Sequence, residues 1–355
     1  MNILITGVGG PTVRSITKSI RMSDKLGQLT IIGVDANPYC HGLYEEGMYD
    51  ATQVVPRVHE ANYWQSINDI VEKHSIDIAI VQPEKEVIGW SKYKKEGNDY
   101  PCKVFLSNVD LNAVLVNKSI MTTHLKDLGL VPKSISFTHK NVESKKVGET
   151  IGYPYWVRGV VGSSGLGSLK VSSSEELENW LSINPSIEQF IASTYLPGRN
   201  LACKLLYYNG KLVRAACGER VNYIMSNVAP SGITGNTSFG RLINEPQLIE
   251  KAKSAMEYLF KATSAEKHGF FTADFKEDES GSAYLTEINA RMVAFNLSFA
   301  KAGANFGEDI IRLLQEDPSF NRSYQMYEFE PGTVFLRDVD ADPILINERD
   351  LLLNR

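Results

Sequence analysis

Four polar side chains suited to binding metal and phosphate lie close together late in the chain. Asp274 stands in an apolar stretch, and Glu287, Asn289 and Arg291 follow at two-residue spacing after a polar turn. Residues two apart on a strand share a face, so a hairpin would set Asp274 beside Glu287. Two carboxylates and an amide oxygen suit Mg²⁺, and an arginine on that face suits a phosphate or an oxyanion. We predict a metal-binding hairpin here; the alternative is a solvated hairpin of alternating polar residues.

A second group combines a cation with a flexible loop. Arg158 ends the apolar stretch 155–158, and residues 159–168 are mostly Gly and Ser. Gly allows backbone N–H groups to turn toward phosphates, Ser hydroxyls add donors, and Arg supplies a fixed positive charge. The pattern predicts a phosphate-binding lid, and a plain turn is the alternative.

Two further segments carry weaker signals. Residues 7–10 (GVGG) follow the first apolar run, but Thr12 occupies the place of the third Gly in a GxGxxG fingerprint. We therefore predict a tight strand-to-helix turn. The alternative is a dinucleotide site in a nicotinamide-dependent dehydrogenase, with Asp35 binding the ribose. Residues 187–191 form an apolar strand that could present backbone groups to an adenine edge, or be an ordinary strand.

The elements that must position these residues follow from apolar periodicity. In the first 110 residues, short apolar runs alternate with helical stretches, which predicts a parallel sheet with right-handed crossovers. Strands are predicted at 3–5, 30–34, 78–81, 104–106, 155–158, 186–191, 201–208, 270–276 and 283–288, and helices at 13–26, 63–74, 111–128 with a break near 117–118, 246–262 and 308–314. Asn209-Gly210 predicts a tight hairpin turn.

Composition limits the class of protein. A chain of 355 residues suits two or three packed lobes. A net charge of −5 argues against a basic nucleic-acid-binding face, and four scattered cysteines argue against a zinc site or a disulfide framework. The N-terminus reads as a strand, and no segment approaches the ~20 apolar residues of a membrane span. We expect a cytoplasmic protein without nucleic-acid or membrane partners, and a homodimer by base rate.

In order, these segments resemble the ATP-grasp superfamily over residues 1–315, in particular the large subunit of carbamoyl phosphate synthetase and bacterial L-amino-acid ligases. The most specific motif is TEINAR at 286–291, which is similar to the family's E-[IV]-N-P-R signature. The resemblance implies a fold that is α/β and α+β, with a Rossmann-like pre-ATP-grasp lobe before a two-lobed ATP-grasp domain. The expected domains are a pre-ATP-grasp lobe at 1–110, a small lobe at 111–185, a large lobe at 186–330 and a C-terminal tail of unknown role at 331–355.

The resemblance also implies a role for each matching residue. Nucleotide contacts fall on the phosphate-binding cations Lys118 and Arg158, on the loop residues Ser163, Ser164, Gly165 and Gly167, on Glu188 and Phe190 at adenine, and on Asn200 at ribose. Metal ligands fall on Asp274, Glu287 and Asn289, which would hold Mg²⁺, with Mn²⁺ as an alternative. Arg291, with Arg158, would stabilise the transferred phosphoryl group. The carboxylate substrate would contact Arg220, Ser231 and Gly232.

The activity implied by the resemblance is an ADP-forming carboxylate–amine ligase that acts through an acyl phosphate, with small-molecule carboxylate and amine substrates. Four positions depart from the family pattern: Arg158 stands for lysine, Ala290 for proline, Asn200 for the ribose-binding glutamate, and Ala294 for a second arginine of the carbamoyl phosphate enzymes. Carbamoyl-phosphate-synthase-like or other phosphoryl transfer, and a nucleotide-binding module without catalysis, remain the alternatives.

Overall fold

The N-terminal part of the chain is a parallel α/β layer. The computed structural model describes residues 1–162, 165, 167–339, 343–347 and 349. The elements of this layer are β1 (Asn2–Thr6), α1 (Pro11–Arg21), β2 (Thr30–Asp35), β3 (Ala51–Val54), α2 (Tyr63–His74), β4 (Ile78–Ile80), α3 (Glu84–Lys95) and β5 (Lys103–Val104). Their strand order is β3-β2-β1-β4-β5, and every pair is parallel, which confirms the predicted sheet. The prediction missed β3, a polar edge strand, and α3, whose apolar residues lack clear helical spacing.

A four-stranded antiparallel sheet forms the middle of the chain, after two short helices. The elements are α4 (Val109–Val116), α5 (Lys118–Leu125), β6 (Ser134–Thr138), α6 (Ser144–Ile151), β7 (Tyr155–Gly159), β8 (Leu169–Val171), α7 (Ser174–Ile183) and β9 (Gln189–Thr194). The strand order is β6-β9-β7-β8. On β7, Tyr155 and Val157 join a core with α6 and α7. Because side chains alternate along a strand, Trp156 and Arg158 point to the opposite face.

The C-terminal part is a larger sheet. Its elements are β10 (Asn200–Tyr208), β11 (Lys211–Tyr223), β12 (Thr237–Ile243), α8 (Pro246–Ala262), β13 (Gly269–Glu277), β14 (Ala283–Asn289), α9 (Asn296–Lys301), α10 (Phe306–Leu314), β15 (Gln325–Met326), β16 (Thr333–Leu336) and β17 (Ile344–Asn347). The order is β14-β13-β10-β11-β12-β16-β17, and β15 pairs with β11. The predicted turn joins β10 to β11, with positive φ at Asn209 and Gly210.

The large sheet has two different faces. Leu201, Cys203 and Leu205 of β10 pack with α4, α5 and α8. The alternate residues Ala202 and Leu206 share a core with β1, α1 and α10, so the second face is turned toward the N-terminal layer. This second face also carries the predicted metal ligands, because Asp274 is the direct partner of Ala202.

Sheet membership differs from the predicted domain boundaries at three places. Helices α4 and α5, predicted in the small lobe, pack on the large sheet. Strand β9, predicted in the large lobe, pairs within the four-stranded sheet. Strands β16 and β17 extend the large sheet, although the prediction assigned everything after 330 to a tail. Long-range pairing decides these memberships, and local periodicity does not report it. None of the described helices combines the length and apolar character needed to cross a bilayer.

Candidate active site

A cavity of about 540 Å³ lies between the four-stranded sheet and the β13–β14 hairpin. Strand β7 contributes Trp156 and Arg158 to one wall, and the hairpin contributes Asp274 and Glu287 to the other. Lys118, the first residue of α5, lies at the junction of the two walls. The cavity therefore has cations on one side and carboxylates on the other.

The two carboxylates are adjacent on the hairpin. Asp274 and Glu287 are direct partners across β13 and β14, as predicted, and Asn289 Nδ2 donates to Glu287 Oε1 at 3.4 Å. Arg220 Nη2 lies 2.7 Å from Asp274 Oδ1, so the two side chains form a close ion pair.

The charges around these two carboxylates suit a bound cation. Burial, together with the nearby Glu287 carboxylate, raises the pKa of Asp274, and Arg220 opposes this rise. Burial also acts to raise the pKa of Glu287, but Lys118 and Arg158 outweigh it and the pKa is lowered. A divalent cation between the two would relieve their repulsion. Two carboxylates and an amide oxygen leave coordination positions for phosphates and water, as Mg²⁺ requires.

Lys118 and Arg158 are held in place by backbone carbonyls. The side chain of Asn117 caps α5 by accepting from the N–H of Ile120 at 3.0 Å. Lys118 Nζ donates to the Gly162 carbonyl at 2.8 Å and lies 3.6 Å from Glu287 Oε2. Arg158 Nη2 donates to the Thr286 carbonyl at 2.6 Å across the cavity. Both cations thus face the carboxylates without neutralising them fully, which suits a polyphosphate.

The loop after β7 closes the cavity on one side. Gly165 and Gly167 have positive φ, and Trp180 Nε1 donates to the Gly167 carbonyl at 3.0 Å. A Cβ at Gly165 would approach the Ile233 carbonyl oxygen to 2.5 Å, so this loop touches the residue 224–236 loop, to which Ser231 belongs. Glycine is required at this contact.

The far end of the cavity has the character of a base-binding site. Trp156 pairs with Ser193 of β9, and Thr194, the last residue of that strand, lines the cavity with Tyr195 and Leu196, which follow it. Phe275 and Lys276 of β13 line the opposite side. An indole ring on one wall and the backbone of Tyr195 and Leu196 after the strand could provide a stacking surface and hydrogen-bonding groups for a purine.

A smaller cavity of about 30 Å³ adjoins the carboxylates on the side of the N-terminal layer. Asn289 and Arg291 line it together with Glu84 from the first turn of α3. Arg291 Nη1 reaches only the Met292 carbonyl at 3.4 Å, and its Nε is buried without a hydrogen-bond partner. No carboxylate of the described residues forms an ion pair with Arg291, so its charge is available to an anion.

Comparison of the whole structure identifies the fold. The N5-carboxyaminoimidazole synthetase of Staphylococcus aureus, complexed with ADP, superposes with a TM-score of 0.70 at 16% identity, over 94% of this chain and 81% of that one. The L-amino acid ligase of Bacillus licheniformis gives 0.64 at 16% identity, over 94% and 78%. The biotin carboxylase domain of the Hydrogenobacter thermophilus 2-oxoglutarate carboxylase, in complex with MgADP, ADP and bicarbonate, gives 0.68 at 15%, over 95% and 74%.

The chain has the ATP-grasp fold. No family model matches the sequence. Formate-dependent phosphoribosylglycinamide formyltransferases of Bacteroides fragilis and Bacteroides thetaiotaomicron are 32% and 31% identical over 118 residues, which is 32% of this chain. The aligned segment spans only 29% of those curated relatives.

On the ATP-grasp fold, most of the predicted site residues meet around the two cavities. The larger cavity is lined by Lys118, Arg158, Gly165, Asn200, Arg220, Ser231, Gly232, Asp274 and Glu287. Asn289 and Arg291 line the smaller one. Gly167 lies in the same loop, where Trp180 holds its carbonyl. Ser163 and Ser164 lie outside the described residues.

Two predicted adenine contacts do not line either cavity. Phe190 is fully buried in the core under α6 and α7, on the face of β9 opposite to Ser193. The carbonyl of Glu188 accepts from the His139 N–H at 2.8 Å. Phe190 is paired on both sides within the sheet, and the Glu188 carbonyl is already bonded. Tyr195 and Leu196, which follow β9, line the larger cavity instead.

The structure also bears on Arg214 and on the turn at residues 7–10. Arg214, which like Arg220 follows the turn at 209–210 and could by sequence reach the cleft, is buried elsewhere and donates to the Asn321 and Ser323 carbonyls at 2.6 and 3.0 Å. The turn at residues 7–10 packs tightly: a Cβ at Gly9 would lie 2.6 Å from Cys40 Cβ. This close packing favours the predicted structural turn over a dinucleotide site.

Sequence reasoning missed Trp156, Glu84 and residues 194–196. Trp156 could have been found, because it stands two residues before Arg158 and so shares its face. Glu84 and segment 194–196 gave no local signal, since their positions depend on how separate sheets pack together.

Proposed function

We propose that this protein is an ATP-dependent, ADP-forming ligase that activates a carboxylate as an acyl phosphate and joins it to an amine. The observation that carries the proposal is that Glu287 and Lys118 line both cavities. Glu287 lies beside Asp274 in the nucleotide-sized cavity, and it also lines the smaller cavity with Arg291 and Glu84. The structures compared above, which include ligases and nucleotide complexes, support the same chemistry.

The residues divide the work as follows. Trp156 and segment 194–196 would hold the base, and Lys118 with Arg158 would bind and orient the phosphates. Asp274, Glu287 and Asn289 would hold Mg²⁺, which supplies charge neutralisation at the transferred phosphoryl group. The loop at 159–168, where it meets the 224–236 loop, would exclude water and so protect the acyl phosphate from hydrolysis.

The substrates would meet on the Arg291 side of the carboxylates. Arg291, which lacks a carboxylate partner, would bind the acid and stabilise the charge that develops as its oxygen attacks the γ-phosphorus. Arg220, held by Asp274, would support the same carboxylate. Glu84 faces this point from the N-terminal layer, and a carboxylate there would attract an ammonium group. An acid bound by arginine and an amine bound by glutamate would then lie next to each other for C–N bond formation.

The test is a screen for ADP release with pairs of small carboxylates and amines. A ligase releases ADP and phosphate at full rate only when both substrates are present. A carboxylate labelled with heavy oxygen must pass one labelled atom to the released phosphate, because the acyl phosphate forms through that oxygen. A stable phosphorylated product, or ADP release that needs no amine, would instead favour another phosphoryl transfer. Mg·ATP binding without turnover for any pair would favour a non-catalytic module.

A further inference from the structure

A lysine is fully buried beside the metal-binding face of the large sheet. Lys204 lies in the middle of β10, a central strand paired with β11 and β13, and its exposure is 0%. No carboxylate among the described residues lies within ion-pair distance of its Nζ. A buried ammonium without a counter-charge is unfavourable. Burial, assisted by Arg220 and Arg337, lowers the pKa of Lys204 well below its usual value. We therefore looked for a role of Lys204 other than stabilising the folded protein.

The contacts of Lys204 are concentrated on one loop. Its Nζ donates to Asn296 Oδ1 at 2.5 Å and lies 3.5 Å from the Ala294 carbonyl oxygen. Ala294 lies in the loop that follows Arg291, and Asn296 is the first residue of α9; residues 292–296 together are called the 292–296 loop below. Three phenyl rings surround the ammonium at 5.0–5.9 Å: Phe270, Phe295 and Phe299. Lys204 thus ties this loop to a rigid central strand.

The attachment point is one row away from the carboxylates. Lys204 is opposite Thr272, which is opposite Asn289, whereas Asp274 and Glu287 occupy the next row on the same face. Thr272 Oγ1 donates to the Arg291 carbonyl at 3.2 Å. The backbone of Arg291 is therefore held at its own carbonyl by β13, and the loop that follows is held by β10.

Phe295 connects Lys204 to a second cation of the site. Its φ of 54° lies in the left-handed region, which is unfavourable for a bulky residue. The ring lies 5.4 Å from Lys204 Nζ and 5.7 Å from the Arg220 guanidinium. Phe295 belongs to the loop that follows Arg291, and its ring contacts Arg220, the partner of Asp274. A shift of this loop would therefore move both Arg291 and Arg220.

We propose that Lys204 is a positioning residue that fixes the 292–296 loop and, through it, aims Arg291 and Arg220 at the carboxylate substrate. The inference rests on the proposed function for its catalytic consequence, but the loop anchoring is independent of the reaction. Lys204 is fully buried and lines neither cavity, so it touches no reacting atom.

The variant Lys204→Met separates positioning from stability. Met fills the same apolar cage without a charge, so we expect a melting temperature equal to or above that of the wild type. The loop loses its charged hydrogen bonds, so amide exchange over 292–296 should accelerate by about tenfold or more. Loss of an orienting partner should reduce kcat/KM for the carboxylate by about 10- to 100-fold, with KM for Mg·ATP nearly unchanged.

A matched control is available on the same sheet. Arg214 is also a buried cation that donates to loop carbonyls and contacts a phenylalanine, Phe320 at 4.4 Å, but it lies away from both cavities. Arg214→Met should lower the melting temperature and leave exchange over 292–296 and the KM for the carboxylate unchanged. Lys204→Gln, which keeps a neutral donor, should recover part of the activity and of the loop protection.

Two results would overturn the proposal. One is an unchanged exchange rate over 292–296 in Lys204→Met. The other is a loss of activity in Lys204→Met that is accompanied by a lowered melting temperature and is matched by an equal loss of activity in Arg214→Met. If the wild type releases no ADP with any substrate pair, the proposed function fails, and the exchange measurement still decides whether Lys204 anchors the loop.

Discussion

Replacement of Glu287 by glutamine removes one negative charge from the centre of the site while preserving its shape. The Glu287 Oε2 atom lies 3.6 Å from Lys118 Nζ. At an effective dielectric constant of about 20, one unit charge at that separation interacts with about 4–5 kcal/mol. The side chain is 31% exposed, so solvent reduces this value. We expect a loss of roughly 3–4 kcal/mol of transition-state stabilisation, or ~10²–10³ in kcat.

The assay compares ADP release and Mg²⁺ dependence in the variant and in a control. Glu308→Gln is the control, since Glu308 is also a carboxylate paired with cations, Lys25 and Arg312, but belongs to α10. Calorimetry of ADP binding with and without Mg²⁺ adds a readout that needs no substrate: Glu287→Gln should lose most of the gain in affinity from Mg²⁺, and Glu308→Gln should keep it. A Glu287→Gln variant with near-normal turnover and the full Mg²⁺ effect would refute the assignment of the metal site.

Three further predictions test other parts of the structure. Trp156→Ala should weaken ADP binding by about tenfold or more in calorimetry, because base stacking on an aromatic ring contributes ~1–3 kcal/mol, and Trp156→Phe should retain most of it; equal affinities in all three proteins would exclude stacking. Glu84→Gln should raise KM for the amine by about tenfold, the effect of one lost charged contact, and leave KM for ATP unchanged; an effect on ATP alone would contradict the substrate placement. Burial raises the pKa of Asp309 from 3.8 to about 6, against an opposing hydrogen bond from Tyr327. The folded protein therefore holds this proton more tightly, and the free energy of unfolding should fall by up to about 3 kcal/mol as pH rises from about 4 to above 6. Asp309→Asn should remove that slope in urea unfolding at several pH values, and an unaltered slope would show that other groups cause it.

Local sequence patterns predicted most of the strands and helices of this fold. The apolar runs of β1, β2 and β4 predicted the parallel sheet, Asn209-Gly210 predicted the hairpin turn, and the spacing of Glu287 and Asn289 predicted a shared face opposite Asp274. Each of these inferences uses residues close together in the chain or joined by one tight turn. Glu188 and Phe190, predicted at adenine, line neither cavity, because a strand pattern does not reveal which face or end of the strand borders a cavity.

The amino-acid sequence by itself predicted the hairpin with Asp274 opposite Glu287 and the cation Arg158 near the end of β7, since alternation along a strand is a local property of the backbone. Only the tertiary structure decided what surrounds them. Glu84 of α3 lines the same cavity as Arg291, residues 194–196 line the larger cavity, and Lys204 donates to Asn296 behind Arg291. These residues are tens to hundreds of positions apart in the chain. Their geometry is set by the packing of one layer against another, which no local periodicity encodes.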